Sequence, residues 1–170
     1  MRTRFRLLAW AFGAIILLGA QFASAAVGQS NDEKAIRALQ ERIAAALVAR
    51  DLDSVMKEYV PGNELFVFDS DLPRQHTGWN SFKEDWGNFV NSAEDVQYEV
   101  EQLGVTIVGN AAFSHHLAHL TWKRKKDGSR GEQLMSMSDA YRKIGGKWLI
   151  VMEHFSIPVV DGKAVYVAKP

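Results

Sequence analysis

The chain has 170 residues, 20 basic and 20 acidic side chains, no cysteine and an apolar fraction of 47%. That is long enough for a sizeable core, and it lacks the basic footprint that nucleic-acid binding needs. Without a thiol there is no disulfide framework, no cysteine nucleophile and no cysteine-linked lipid anchor.

Arg2, Arg4 and Arg6 precede an apolar run from Leu7 to Ala20, and Ala23-Ser24-Ala25 supplies small residues at cleavage spacing. Residues 1–25 therefore read as a signal peptide removed after Ala25. The run is short of the roughly 20 residues of a membrane span, an uncleaved anchor being the alternative. Residues 26–170 are expected to form one domain with a net charge near −3, periplasmic or secreted and free of the membrane.

Ser30 and Glu33 have capping-box spacing, and Ile36, Leu39, Ile43 and Leu47 follow at helical steps. Asp51 caps a second helix carrying Val55, Met56 and Tyr59, ended by Pro61-Gly62. Leu65 to Asp69 reads as a short strand and Ser70 to Gly78 as a polar loop. Ser81 with Glu84 opens a third helix, whose Phe82, Trp86, Phe89 and Val90 form one apolar stripe. From Asp95 the period changes to two, with turns at Gly109-Asn110, Asp127-Gly128 and Gly145-Gly146 and a bulge at Gly104. The order α-α-β-α and then four antiparallel strands is an α+β arrangement. Apolar residues occupy both faces of the late strands: Phe113 and Leu117 oppose Ala118 and Leu120, while Leu149, Val151 and Phe155 oppose Trp148, Ile150 and Met152. A homodimer packed through the sheet face would cover the second of these faces.

Three stretches carry a family resemblance: Ala44 to Asp53, Phe66 to Asp69 with Gly78 and the aromatic helix, and Asp139 to Lys143 running through Gly146–Ile150 to Ser156. Together they resemble the nuclear transport factor 2-like superfamily, in its SnoaL-like, ketosteroid-isomerase-related branch, over residues 31–158. The resemblance implies a cone-shaped α+β barrel, in which a curved, mostly antiparallel sheet wraps around three N-terminal helices and encloses a pocket. On that resemblance Asp69 falls where the steroid isomerases place their base, and Asp139 where they place a protonated acid. The tyrosine completing their oxyanion hole is replaced by Ile43, which argues against steroid isomerisation itself.

Glu153 and His154 are adjacent ionisable residues in an apolar strand, so one faces inward. A two-residue Gly145-Gly146 loop pairs Asp139 with Met152. A three-residue loop pairs it with Val151 and turns Glu153 inward, the arrangement the resemblance favours. In His115-His116-x-x-His119, strand parity puts His115 and His119 together with Phe113 and Leu117, toward the presumed pocket. Four residues along a strand span about 13 Å, so the two cannot chelate one ion by themselves, and neither a metal nor another cofactor is expected. The expected catalytic set is Asp69, His119 and Asp139. Tyr59, Trp79, His115, Met137 and Glu153 complete the expected pocket around a small, largely apolar ligand. Cofactor-free isomerase, dehydratase or cyclase chemistry follows from converging carboxyl groups. A non-catalytic dimeric binding or assembly module is the alternative.

Overall fold

Ser30 starts the first helix, its Oγ accepting from the Glu33 amide at 3.0 Å, and α1 runs Asn31–Ala49. The computed structural model describes residues 30–160 and 163–164; the expected leader, residues 1–25, lies outside the described residues. Ile36, Leu39, Ile43 and Leu47 are buried as their spacing predicts, each contributing about 1.5–3 kcal/mol through removal from water. Arg50 ends α1 in a left-handed conformation, donating its amide back to Ala46 and Leu47. Asp51 caps α2, Leu52–Met56, through the Ser54 amide. Tyr59 lies beyond this helix rather than within it, held by a backbone bridge to Ile150.

The strands are β1 Phe66–Phe68, β2 Gln75–Thr77, β3 Ala93–Val108, β4 Ala111–Arg124, β5 Arg130–Ile144 and β6 Lys147–Ser156, with α3, Trp79–Ser92, between β2 and β3. They form one six-stranded sheet in the order β2-β1-β6-β5-β4-β3, antiparallel except for the β1–β6 pair. The fold is thus α+β, with a mostly antiparallel sheet and N-terminal helices, as expected. Val159–Val160 and Lys163–Ala164 (β7 and β8) pair with each other in a separate two-stranded sheet. The segment read as a loop contains β2, whose three residues are too few to show a period. Helix α3 begins at Trp79, two residues before the Ser81 signal, with Gly78 as an N-cap that offers no side-chain bond.

The last hairpin corrects both registers weighed from the sequence. Gly145 and Gly146 lie at φ 56° and 84°, the left-handed pair a two-residue turn requires, and Ile144 pairs with Lys147. The register then shifts between Ala140 and Tyr141, where Tyr141 pairs with Ile150 but Ala140 with Met152, leaving Val151 as the extra residue. That bulge reverses the parity of β6. Trp148 and Ile150 face the core before it, Glu153 and Phe155 after it. Glu153 is inward, as favoured, but opposite Asp139 itself, and Phe155 is buried on the same face, while Trp148 and Ile150, expected on the opposite face, are buried with them.

Strand β4 corrects a second expectation. Ala112, Ser114, His116, Ala118 and Leu120 are its buried residues; Phe113 and His115 are exposed, and Leu117 and His119 lie on the same outer side. Small residues at alternate positions mark the buried face, a cue outweighed in the sequence by Phe113 and Leu117. His115 instead covers Gly104 at the expected bulge in β3, where an added Cβ would come within 2.5 Å of the imidazole.

Candidate functional site

One cross-strand row organises the inner face of the sheet. Ser114 pairs with Asp139, Asp139 with Glu153, Glu153 with Val67 and Val67 with His76. Polar groups thus occupy both sides of Val67, in two environments.

On the β4–β5–β6 side they are sealed in the core. Asp139 Oδ2 accepts from Gln40 Nε2 at 2.8 Å, Tyr141 OH at 2.9 Å and Ser114 Oγ at 3.0 Å. Tyr59 OH donates to Glu153 Oε2 at 2.8 Å. Burial raises the Asp139 pKa to about 6 against the pull of its three donors, and burial with the Asp139 charge pushes Glu153 well above the ordinary glutamate value. His116, its Nδ1 3.7 Å from Asp139 Oδ2, is lowered to about 4 by burial and is neutral at pH 7. Gln40, one turn before Ile43 on α1, supplies from the first helix a donor that the missing tyrosine does not.

On the β1–β2 side, Asp69 follows β1, His76 points inward from β2 and Asp85 comes from the second turn of α3. Asp69 Oδ1 accepts from the Asp71 amide at 3.0 Å, while Oδ2 faces His76 Nε2 at 3.5 Å. His76 Nε2 stands 4.0 Å from Asp85 Oδ2, and His76 Nδ1 lies 3.3 Å from Ser81 Oγ. Burial and the Asp69 charge raise the Asp85 pKa, and His76 partly offsets them. Among the described residues no arginine or lysine pairs with Asp69 or Asp85. Both carboxylates line a cavity of about 400 Å³ whose other wall is Trp86, Phe89, Leu120, Met135 and Phe155. A neighbouring depression shares Asp69, Asp71, Gln133 and Phe155 with it and adds Arg74 and His154.

Phe82 separates the two regions. It is fully buried, its ring 5.2 Å from Tyr59, 5.7 Å from His76 and 6.2 Å from Phe155. The expected catalytic set is therefore not assembled. Asp69 is at the cavity, Asp139 is sealed behind packed side chains, and His119 is on the outer face, 2.7 Å from Glu132. Of the expected pocket residues, Tyr59, Met137 and Glu153 are core, Trp79 is half-buried with its Nε1 on the Met56 carbonyl, and His115 is outside. His76 and Asp85 went unrecognised in the sequence. Asp85 was legible as the residue three beyond Phe82, at the edge of the apolar stripe; His76, in a three-residue strand, left no periodic trace.

A model of the SnoaL-like domain matches residues 36–160. Comparison with curated proteins finds no match. Among solved structures, an NTF2-like protein of unknown function from Pseudomonas putida KT2440 is similar at 28% identity and TM-score 0.71, over 84% of this chain and all of the other. An NTF2-like superfamily protein from Salmonella enterica serovar Typhimurium LT2 is similar at 20% identity and TM-score 0.68, over 76% of this chain and 92% of the other. A ketosteroid isomerase-like protein from Erwinia carotovora atroseptica SCRI1043 shares the fold at 16% identity and TM-score 0.63, over 75% and 96%. The chain belongs to the SnoaL-like domain family, within the NTF2-like fold.

Proposed function

We propose that this chain is an exported protein that holds a small, largely apolar organic molecule in the cavity beside Asp69 and moves a proton on it, as an isomerase, dehydratase or cyclase does. One observation carries this reading: a cavity whose apolar wall faces the carboxyl groups of Asp69 and Asp85, with which no arginine or lysine pairs among the described residues. Asp69 Oδ2 is placed to take a proton from a carbon beside a carbonyl. Asp85, whose pKa is raised, is placed to return one, either to another carbon in isomerisation or to a departing hydroxyl that leaves as water in dehydration. Asp69 keeps the role of first candidate base. His76, and not His119, is the histidine beside it. Asp139 and Glu153 are proposed as structural supports, since Phe82 and Phe155 stand between them and the cavity.

The non-catalytic module also has an observation in its favour, because Tyr59 and Met137, expected to line a pocket, are part of the packed core. In either case the outer face, with Phe68 at 46% and Phe113 at 52% exposure, suits a homodimer through the sheet. A thermal-shift screen against a chemically diverse apolar library identifies the ligand class, and turnover is then followed on the hits. Asp69→Asn is expected to cut turnover by about 10²–10⁴-fold with an unchanged melting temperature. Unchanged turnover in that variant overturns the assignment.

A further inference from the structure

We infer that Asp69, His76 and Asp85 bind one divalent transition-metal ion at the mouth of the cavity. One potential ligand atom from each lies within 4.8 Å of the other two. Converging acidic groups alone would say little; the imidazole decides the matter. His76 is 3% exposed, and its Nε2 is buried without a hydrogen-bond partner, aimed between Asp69 Oδ2 and Asp85 Oδ2 at 3.5 and 4.0 Å. Those separations are too long for N–H···O bonds. They suit atoms gathered on a common ion, because metal–ligand distances of 2.0–2.2 Å at a tetrahedral centre set ligand atoms about 3.4 Å apart.

The surroundings hold the ligands in place. Ser81 Oγ at 3.3 Å accepts from His76 Nδ1 in the tautomer that turns the Nε2 lone pair toward the carboxylates. The Asp71 amide occupies Asp69 Oδ1 and leaves Oδ2 free. Asp85, with its side chain 39% exposed, has room to close the longer gap. One imidazole with two carboxylates and no thiolate suits Zn²⁺, Mn²⁺ or Fe²⁺, whereas Mg²⁺ and Ca²⁺ favour all-oxygen sites. Because Asp69 and Asp85 also line the cavity, the remaining coordination positions face the ligand space. An ion there occupies Asp69 Oδ2 and so blocks proton abstraction. That inhibition rests on the function proposed above; the binding does not.

The test is calorimetric titration of the purified, chelator-stripped protein with Zn²⁺ and with Mn²⁺. One ion per chain is expected. His76→Gln and Asp85→Asn should each weaken binding at least about tenfold, and a His115→Gln/His119→Gln double variant should leave it unchanged. The imidazole ¹⁵N resonance of His76 Nε2 should move on Zn²⁺ addition. Absence of saturable binding, or binding unchanged in folded Asp85→Asn, overturns the site. If the ion binds and turnover on an identified substrate persists, the metal site stands and the assignment of Asp69 as base fails.

Discussion

Asp139 and Asp69 are both aspartates on the inner face of the same sheet, yet their surroundings differ in every respect that governs chemistry. Three neutral donors converge on Asp139 Oδ2, Glu153 stands opposite it, and no solvent reaches it. Asp69 has one oxygen fixed by a backbone amide and the other facing an imidazole nitrogen that has no hydrogen-bond partner, and it lines an open cavity. Val67, Phe82 and Phe155 lie between the two regions. The contrast teaches that a carboxyl group with a raised pKa does not by itself mark a reactive site. Burial raises Asp139 and Glu153 inside a core network, while the group with access to a ligand is the less buried one.

The sharpest way to break this comparison is to remove Asp139. Asp139→Ala leaves the Gln40 amide, the Ser114 hydroxyl and the Tyr141 hydroxyl without their shared acceptor in a dry interior. A loss of about 3–5 kcal/mol is expected, read by urea denaturation. A loss below about 1 kcal/mol would mean that water reaches Asp139, and the two regions would be one.

Glu153→Gln tests the same seal with a smaller and opposite effect. The folded pKa of Glu153 lies well above its unfolded value, so the native chain binds the extra proton and stability falls as pH rises toward the folded pKa. Asp139, raised to about 6, acts in the same sense over its lower window. His116, lowered to about 4, acts in the other sense: its contribution is lost as pH falls below its unfolded value of 6.5. About a pH unit above these two values both have levelled off, and any remaining fall, at most about 1.4 kcal/mol per pH unit, is that of Glu153 below its own folded pKa. The parent should lose stability as pH rises toward the folded pKa of Glu153. Glu153→Gln should hold level there and become the more stable of the two. Parallel profiles would show that Glu153 is ionised and solvated in the folded protein.

The order of elements was legible because each long segment kept its period. The 3- and 4-residue steps of α1 bury Ile36, Leu39, Ile43 and Leu47, and the glycine turns fall where the strands end. The candidate site was less legible, because it depends on which face each residue takes, and two local events decide that. The bulge at Val151 exchanges the faces of β6, so Glu153 turns inward for a reason that loop length alone does not give. In β4 both faces carry apolar side chains, and period two cannot rank them. The small residues at Ala112, Ser114 and Ala118 do, since all three are buried on the inner face while Phe113 is exposed. His76 escaped for a different reason, being positioned by pairing with Val67 and packing against α3 rather than by any pattern in its own segment.

His119 gives the mildest test and bears on the same parity. Its Nε2 meets Glu132 Oε1 at 2.7 Å on the outer face, with the two side chains 20% and 45% exposed. Such a pair contributes about 0–1 kcal/mol, since water competes for both partners and ordering them costs side-chain entropy. His119→Gln keeps a hydrogen-bond donor opposite Glu132, so stability should change by less than about 0.5 kcal/mol. Turnover on any substrate found for the cavity should be unchanged, because Leu120, and not His119, is the β4 residue that lines it. Equilibrium denaturation and steady-state kinetics on the one variant read both. A large loss of turnover with stability intact would move the chemistry to the outer face of the sheet. It would also make Asp69 and its neighbours, rather than His119, the bystanders.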